Sequence, residues 1–102
     1  MTRMAEEIVS MSILEALPGK EDDLLSMLRE LYGLMHAKGY CRDWLLRDAA
    51  RPDRFLHLRR WASVEMRSEA QIDPEVHRYW QRLPDLCNIP VVYENLESVF
   101  ES

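Results

Sequence analysis

From Ile8 to Glu15 the chain alternates, with Val9, Met11 and Ile13 on one side and Ser10 and Ser12 on the other. That is the two-residue period of a strand. Pro18 and Gly19 break it, and Glu21, Asp22 and Asp23 then place negative charge where the first turn of a helix is electropositive. The spacing predicts a helix to about Lys38. Leu24, Leu28, Leu31 and Met35 form its apolar stripe, which Leu25, Met27, Tyr32 and Leu34 widen, and Gly39 supplies a left-handed stop.

Tyr40 to Asp48 and Phe55 to Trp61 read as two extended runs joined by the short segment Ala49-Ala50-Arg51-Pro52-Asp53, an antiparallel hairpin. Ser63 can cap a short helix through Ala70. Asp73-Pro74 starts a second piece through Val76, Trp80 and Leu83 to about Pro84. Pro90 to Phe100 reads as a final strand. The order β-α-β-β-α-β is the ferredoxin-like α+β arrangement, a four-stranded antiparallel sheet with its helices on one face. In the third strand Phe55, His57, Arg59 and Trp61 share one face, and Leu56, Leu58 and Arg60 the other. Both faces carry apolar residues, so the open side of the sheet is expected to pack on a second copy of the chain.

Length and charge narrow the picture. One hundred and two residues make a single domain, expected over 1–102, with room for one core and little for a deep pocket of its own. No apolar run approaches the roughly 20 residues of a membrane-spanning helix. Met1 to Ser10 carries Glu6 and Glu7 where a secretory leader would be apolar, which predicts a cytoplasmic protein. Cys41 and Cys87 are too few for a disulfide framework and lack metal-ligand spacing. A formal charge of −5 argues against nucleic acid as a partner, and no Gly-rich phosphate loop or paired aromatic RNA-binding motif occurs. The charge is uneven, however. Six Arg and three Asp between Arg42 and Arg60 give that stretch +3, leaving −8 on the other 83 residues. Such a basic hairpin either pairs with acidic helices or attracts an anionic ligand.

Pro18-Gly19-Lys20 after the first strand, Gly39 before the second, an Arg-rich hairpin ending in Arg60-Trp61-Ala62-Ser63 and a His on the following helix resemble the antibiotic biosynthesis monooxygenase domain, a dimeric α/β barrel. The resemblance runs from about Ile8 to Phe100. It implies an oxygenase that works without metal or flavin: the protein deprotonates a phenol-like substrate, holds the anion and excludes water while the substrate reduces O₂. Such a site needs a base, a group that holds an anion and an aromatic wall. His77 is the first candidate base and His57 the second; Trp61 is the candidate wall, with Trp44 and Trp80 as further substrate contacts. Arg59 would hold the anion. Haem-degrading relatives carry an Asn on the first strand, where this chain offers Ser10 and Ser12, although a Ser12 hydroxyl can still bond an oxygenated ligand. The expected partners are therefore a second copy of the chain and a small aromatic ligand, with no cofactor. A non-catalytic ligand-binding dimer, a haem protein and an isomerase on the same barrel are the competing readings.

Overall fold

A computed structural model describes residues 8–102. The reading of Glu6 and Glu7 falls outside the described residues. The elements are β1 (Ile8–Ala16), α1 (Glu21–Ala37), β2 (Cys41–Arg47), β3 (Arg54–Trp61), α2 (Val64–Gln71), α3 (Pro74–Trp80) and β4 (Cys87–Leu96), with a single 3-10 turn over Leu83–Asp85 before β4. The sheet order is β2-β3-β1-β4, and every neighbouring pair is antiparallel. This is the ferredoxin-like α+β fold that the periodicity predicts.

Helix α1 supplies the largest share of the core of any element among the described residues. Its stripe Leu24, Met27, Leu28, Leu31 and Met35 is buried to 3% exposure or less, packed with Leu14 of β1 and Phe55 of β3. Leu14 and Phe55 are cross-strand partners and so share a face of the sheet. The breaks match the turn residues: Gly19 and Gly39 take φ of 76° and 75°, a region that residues with a Cβ rarely adopt. Ser63 caps α2 by accepting from the Met66 amide at 3.1 Å, and Asp73 caps α3 by accepting from the Glu75 amide at 2.9 Å.

Two boundaries differ from the sequence reading. Helix α3 ends at Trp80 rather than near Pro84, because Pro84 has no amide hydrogen to give the Trp80 carbonyl. The last strand runs from Cys87 to Leu96 rather than from Pro90 to Phe100. Cys87 and Asn88 pair with Ala16 and Glu15, while at the other end Leu96 already meets Val9. Pro90 is tolerated inside β4 because this is an edge strand and the register shifts there: Ile89 and Pro90 together oppose Leu14. A second shift sets Glu94 and Asn95 together against Ser10.

The face away from the helices carries Val9, Met11, Ile13, Trp44, Leu58 and Tyr93. Trp44 is 62% exposed and Tyr93 50%. No helix among the described residues is long and apolar enough to cross a membrane.

Candidate functional site

Strand β3 is flanked on both sides, so its helix-facing row meets two neighbours at each step. His57 stands between Ser12 of β1 and Leu45 of β2, Arg59 between Ser10 and Asp43, and Trp61 between Ile8 and Cys41. Over this row lie two adjoining cavities. The larger, about 360 Å³, is polar at its margins, where α2 supplies Arg67 and Gln71 and β4 supplies Glu94 and Asn95. The smaller, about 150 Å³, is lined chiefly by Leu14, Leu28, Leu31, Leu83 and Ile89. Ser12, His57, Arg59, Trp80 and Val92 form a wall common to both.

Asp43 organises the charged groups. Its side chain is 1% exposed, and Oδ1 accepts from Arg59 Nε at 2.7 Å and lies 2.6 Å from His57 Nε2. Burial alone would raise the carboxyl's pKa, but the His57 hydrogen bond and the Arg59 charge outweigh it and hold the group below its ordinary value. Asp43 is therefore ionised and can only accept. Nε2 of His57 must carry the hydrogen, which leaves Nδ1 as the basic nitrogen of the neutral ring. Burial pushes the His57 pKa below 6.5, against the opposing pull of the Asp43 bond, so the imidazole is neutral at pH 7. Tyr32 stacks on that ring with centroids 4.8 Å apart. The Arg59 guanidinium lies 5.2 Å over the Trp61 ring, whose Nε1 donates to Ser10 Oγ at 3.1 Å. The wall thus holds a basic nitrogen, a buried cation and a fixed indole, a set that can accept a proton and hold the resulting anion.

Of the residues singled out from sequence, His57, Arg59, Trp61, Trp80 and Ser12 meet at the cavities. His77 does not line them. It lies on α3 with its Nε2 against the Gln71 carbonyl and its ring 5.3 Å from Trp80, so it meets the site through those two lining residues and not directly. Trp44 points to the opposite face of the sheet, because strand alternation separates it from Asp43. Four participants carried no individual signal in the sequence. Asp43 was one acid among many charges on the hairpin, Tyr32 one position in an apolar stripe, and Arg67 one surface cation. Asn95 faces the cavity through the β4 register shift, with its Oδ1 accepting from Arg67 Nη1 at 2.7 Å.

Cys41 and Cys87 are both free and buried. Burial raises the Cys41 thiol to about 12, so it is no nucleophile at neutral pH. No group of His, Cys, Asp and Glu able to hold a metal occurs among the described residues.

Neither a family sequence model nor a curated protein matches the chain. Solved structures do. A Chloroflexus aurantiacus protein named for the antibiotic biosynthesis monooxygenases superposes with a TM-score of 0.76 at 19% identity, covering 94% of this chain and 97% of its own. SnoaB from Streptomyces nogalater, a cofactor-independent oxygenase, superposes with a TM-score of 0.75 at 16% identity, covering 95% and 100%. The fold is that of the antibiotic biosynthesis monooxygenase domain. A Bacteroides thetaiotaomicron protein of the same name adds a TM-score of 0.77 at 13% identity, covering 93% and 91%. At such identities the antibiotic biosynthesis monooxygenase likeness is one of architecture, and the chemistry lies with the Asp43, His57 and Arg59 group itself.

Proposed function

We propose that this protein is a cofactor-independent monooxygenase of the antibiotic biosynthesis monooxygenase family, a cytoplasmic homodimer that oxidises a small aromatic or quinol-type substrate in the paired cavities beside β3. The observation that carries the reading is the ionised Asp43 holding neutral His57 at a cavity wall shared with Arg59 and Trp80. The two free cysteines suit a reducing compartment.

In this mechanism His57 Nδ1 accepts the substrate's hydroxyl or enol proton, and Asp43 stabilises the imidazolium that forms. Arg59 offers its remaining guanidinium N–H groups to the substrate anion. The anion then reduces O₂. For an anthrone the balance is closed: the ring CH₂ is oxidised to a carbonyl, one oxygen atom enters the quinone and the other leaves as water. Trp61 and Trp80 supply flat apolar surface that orients the rings and excludes water. His77, packed against Trp80, supports that wall, and Trp44 belongs to the dimer contact.

The test is oxygen consumption by the purified protein with a panel of hydroquinones and anthrones, compared with anaerobic controls. Enzyme-dependent uptake with quinone formation is expected. Thermal stabilisation by the same compounds without uptake would instead make the protein a binding module, and a Soret shift on adding haem would favour a haem protein.

A further inference from the structure

The smaller cavity is lined by a buried phenol that has no part in the proposed proton transfer. The Tyr32 hydroxyl is buried and has no hydrogen-bond partner among the described residues. Tyr32 lines the smaller cavity, alongside Leu28, Leu31 and Leu83, and its ring is fixed by stacking on His57. A buried hydroxyl left unpaired is costly, and native proteins keep such groups where something else completes the bond. Burial and the nearby Asp43 charge raise the phenol's pKa, so it stays protonated and is available as a donor. An apolar cavity of about 150 Å³ is enough to admit benzene, and this one has that volume.

We propose that the smaller cavity takes a single carbocyclic ring bearing a hydroxyl or carbonyl oxygen, and that Tyr32 donates a hydrogen bond to that oxygen and so selects oxygenated rings over plain hydrocarbon ones. The remainder of the substrate extends into the larger cavity, toward Arg67 and Asn95. Tyr32 is on this view a specificity residue, placed across the ring of the base from the β3 row. The inference rests on the cavities being the substrate site.

The experiment compares 4-fluorophenol with 4-fluorotoluene, which differ in a hydroxyl against a methyl, by fluorine NMR titration of wild type and Tyr32→Phe in deoxygenated buffer. Wild type is expected to bind the phenol more tightly. Tyr32→Phe should weaken 4-fluorophenol by about tenfold and leave 4-fluorotoluene within about twofold. Because the lost hydroxyl had no partner, the ligand-free variant should unfold at the same or a higher temperature. Unchanged phenol affinity would overturn the inference, as would wild type that binds neither probe. Equal weakening of both probes with a lower melting temperature would make the hydroxyl structural, and that too overturns it. Oxygen uptake is a separate readout. An active enzyme whose Tyr32→Phe variant binds both probes unchanged loses this inference and keeps its proposed activity, whereas selective phenol binding without uptake does the reverse.

Discussion

Asp43 gives the site its chemistry by what it denies its neighbours. A buried carboxylate that accepts from two side chains at 2.6 and 2.7 Å has fixed the tautomer of one and the position of the other. In the proposed mechanism the consequence falls on His57. His57→Gln should lower kcat/KM for oxygen uptake by about 10²- to 10⁴-fold, the usual contribution of a positioned base. In wild type, activity should rise with pH through an apparent pKa below 6.5, because burial depresses the imidazole and only its neutral form accepts a proton. That acid limb should disappear in His57→Gln. Initial rates from about pH 5 to about pH 8 check both outcomes. At this scale the sequence was half legible. Alternation puts His57, Arg59 and Trp61 in a row, but it cannot say which acid lies beside them, since that depends on the β2-β3 register that pairs Asp43 with Arg59. His77 ranked ahead of His57 as a base in the sequence because a helix residue's direction depends on packing that no local pattern records.

Among the elements, the joint between α2 and α3 loses support in acid. Asp73 caps α3 with Oδ1, while Oδ2 accepts from Lys38 Nζ at 2.7 Å and from Tyr40 Oη at 2.6 Å, tying the end of α1 and the approach to β2 to the start of α3. The Lys38 and Tyr40 hydrogen bonds hold the Asp73 carboxyl down at about 2. A depressed folded pKa means that its stabilisation is complete above the ordinary carboxylate range and lost as pH falls through about 2. Asp73→Asn keeps a capping side chain but no charge. It should therefore lower the melting temperature at neutral pH by about 5 °C and flatten the decline of melting temperature between about pH 4 and about pH 2. Thermal melts across that range read both effects. The Asp73-Pro74 start of α3 was plain in the sequence, since proline and a capping acid act locally. The limits of β4 were not, because they are set by what β1 offers for pairing and by two register shifts that no alternation reveals.

For the whole molecule, the exposed apolar face of the sheet is the unfinished part. Trp44 at 62% and Tyr93 at 50% exposure stand among half-buried Val9, Met11, Ile13 and Leu58, an arrangement that a second copy would cover. Light scattering coupled to size exclusion should find twice the chain's 12.1 kDa. Leu58→Glu, which sets a charge in the middle of that face and away from the cavities, should shift the mass to a single chain. A monomeric wild type would remove the dimer from the proposal. The fold class was legible in the order of the elements, and the dimer expectation in strands that are apolar on two faces when the helices could cover only one.

The β4 edge of the sheet limits how copies of the chain could add to one another. Pro90 has no amide hydrogen to offer an incoming strand, and the two register shifts twist β4 out of the flat line that a neighbouring strand would need. Copies of this chain are thereby discouraged from adding edge to edge, a mode of growth with no natural end that leads to fibres. The face that carries exposed Trp44 and Tyr93, where a second copy would pack, is thereby kept from being extended by an open-ended run of paired edges.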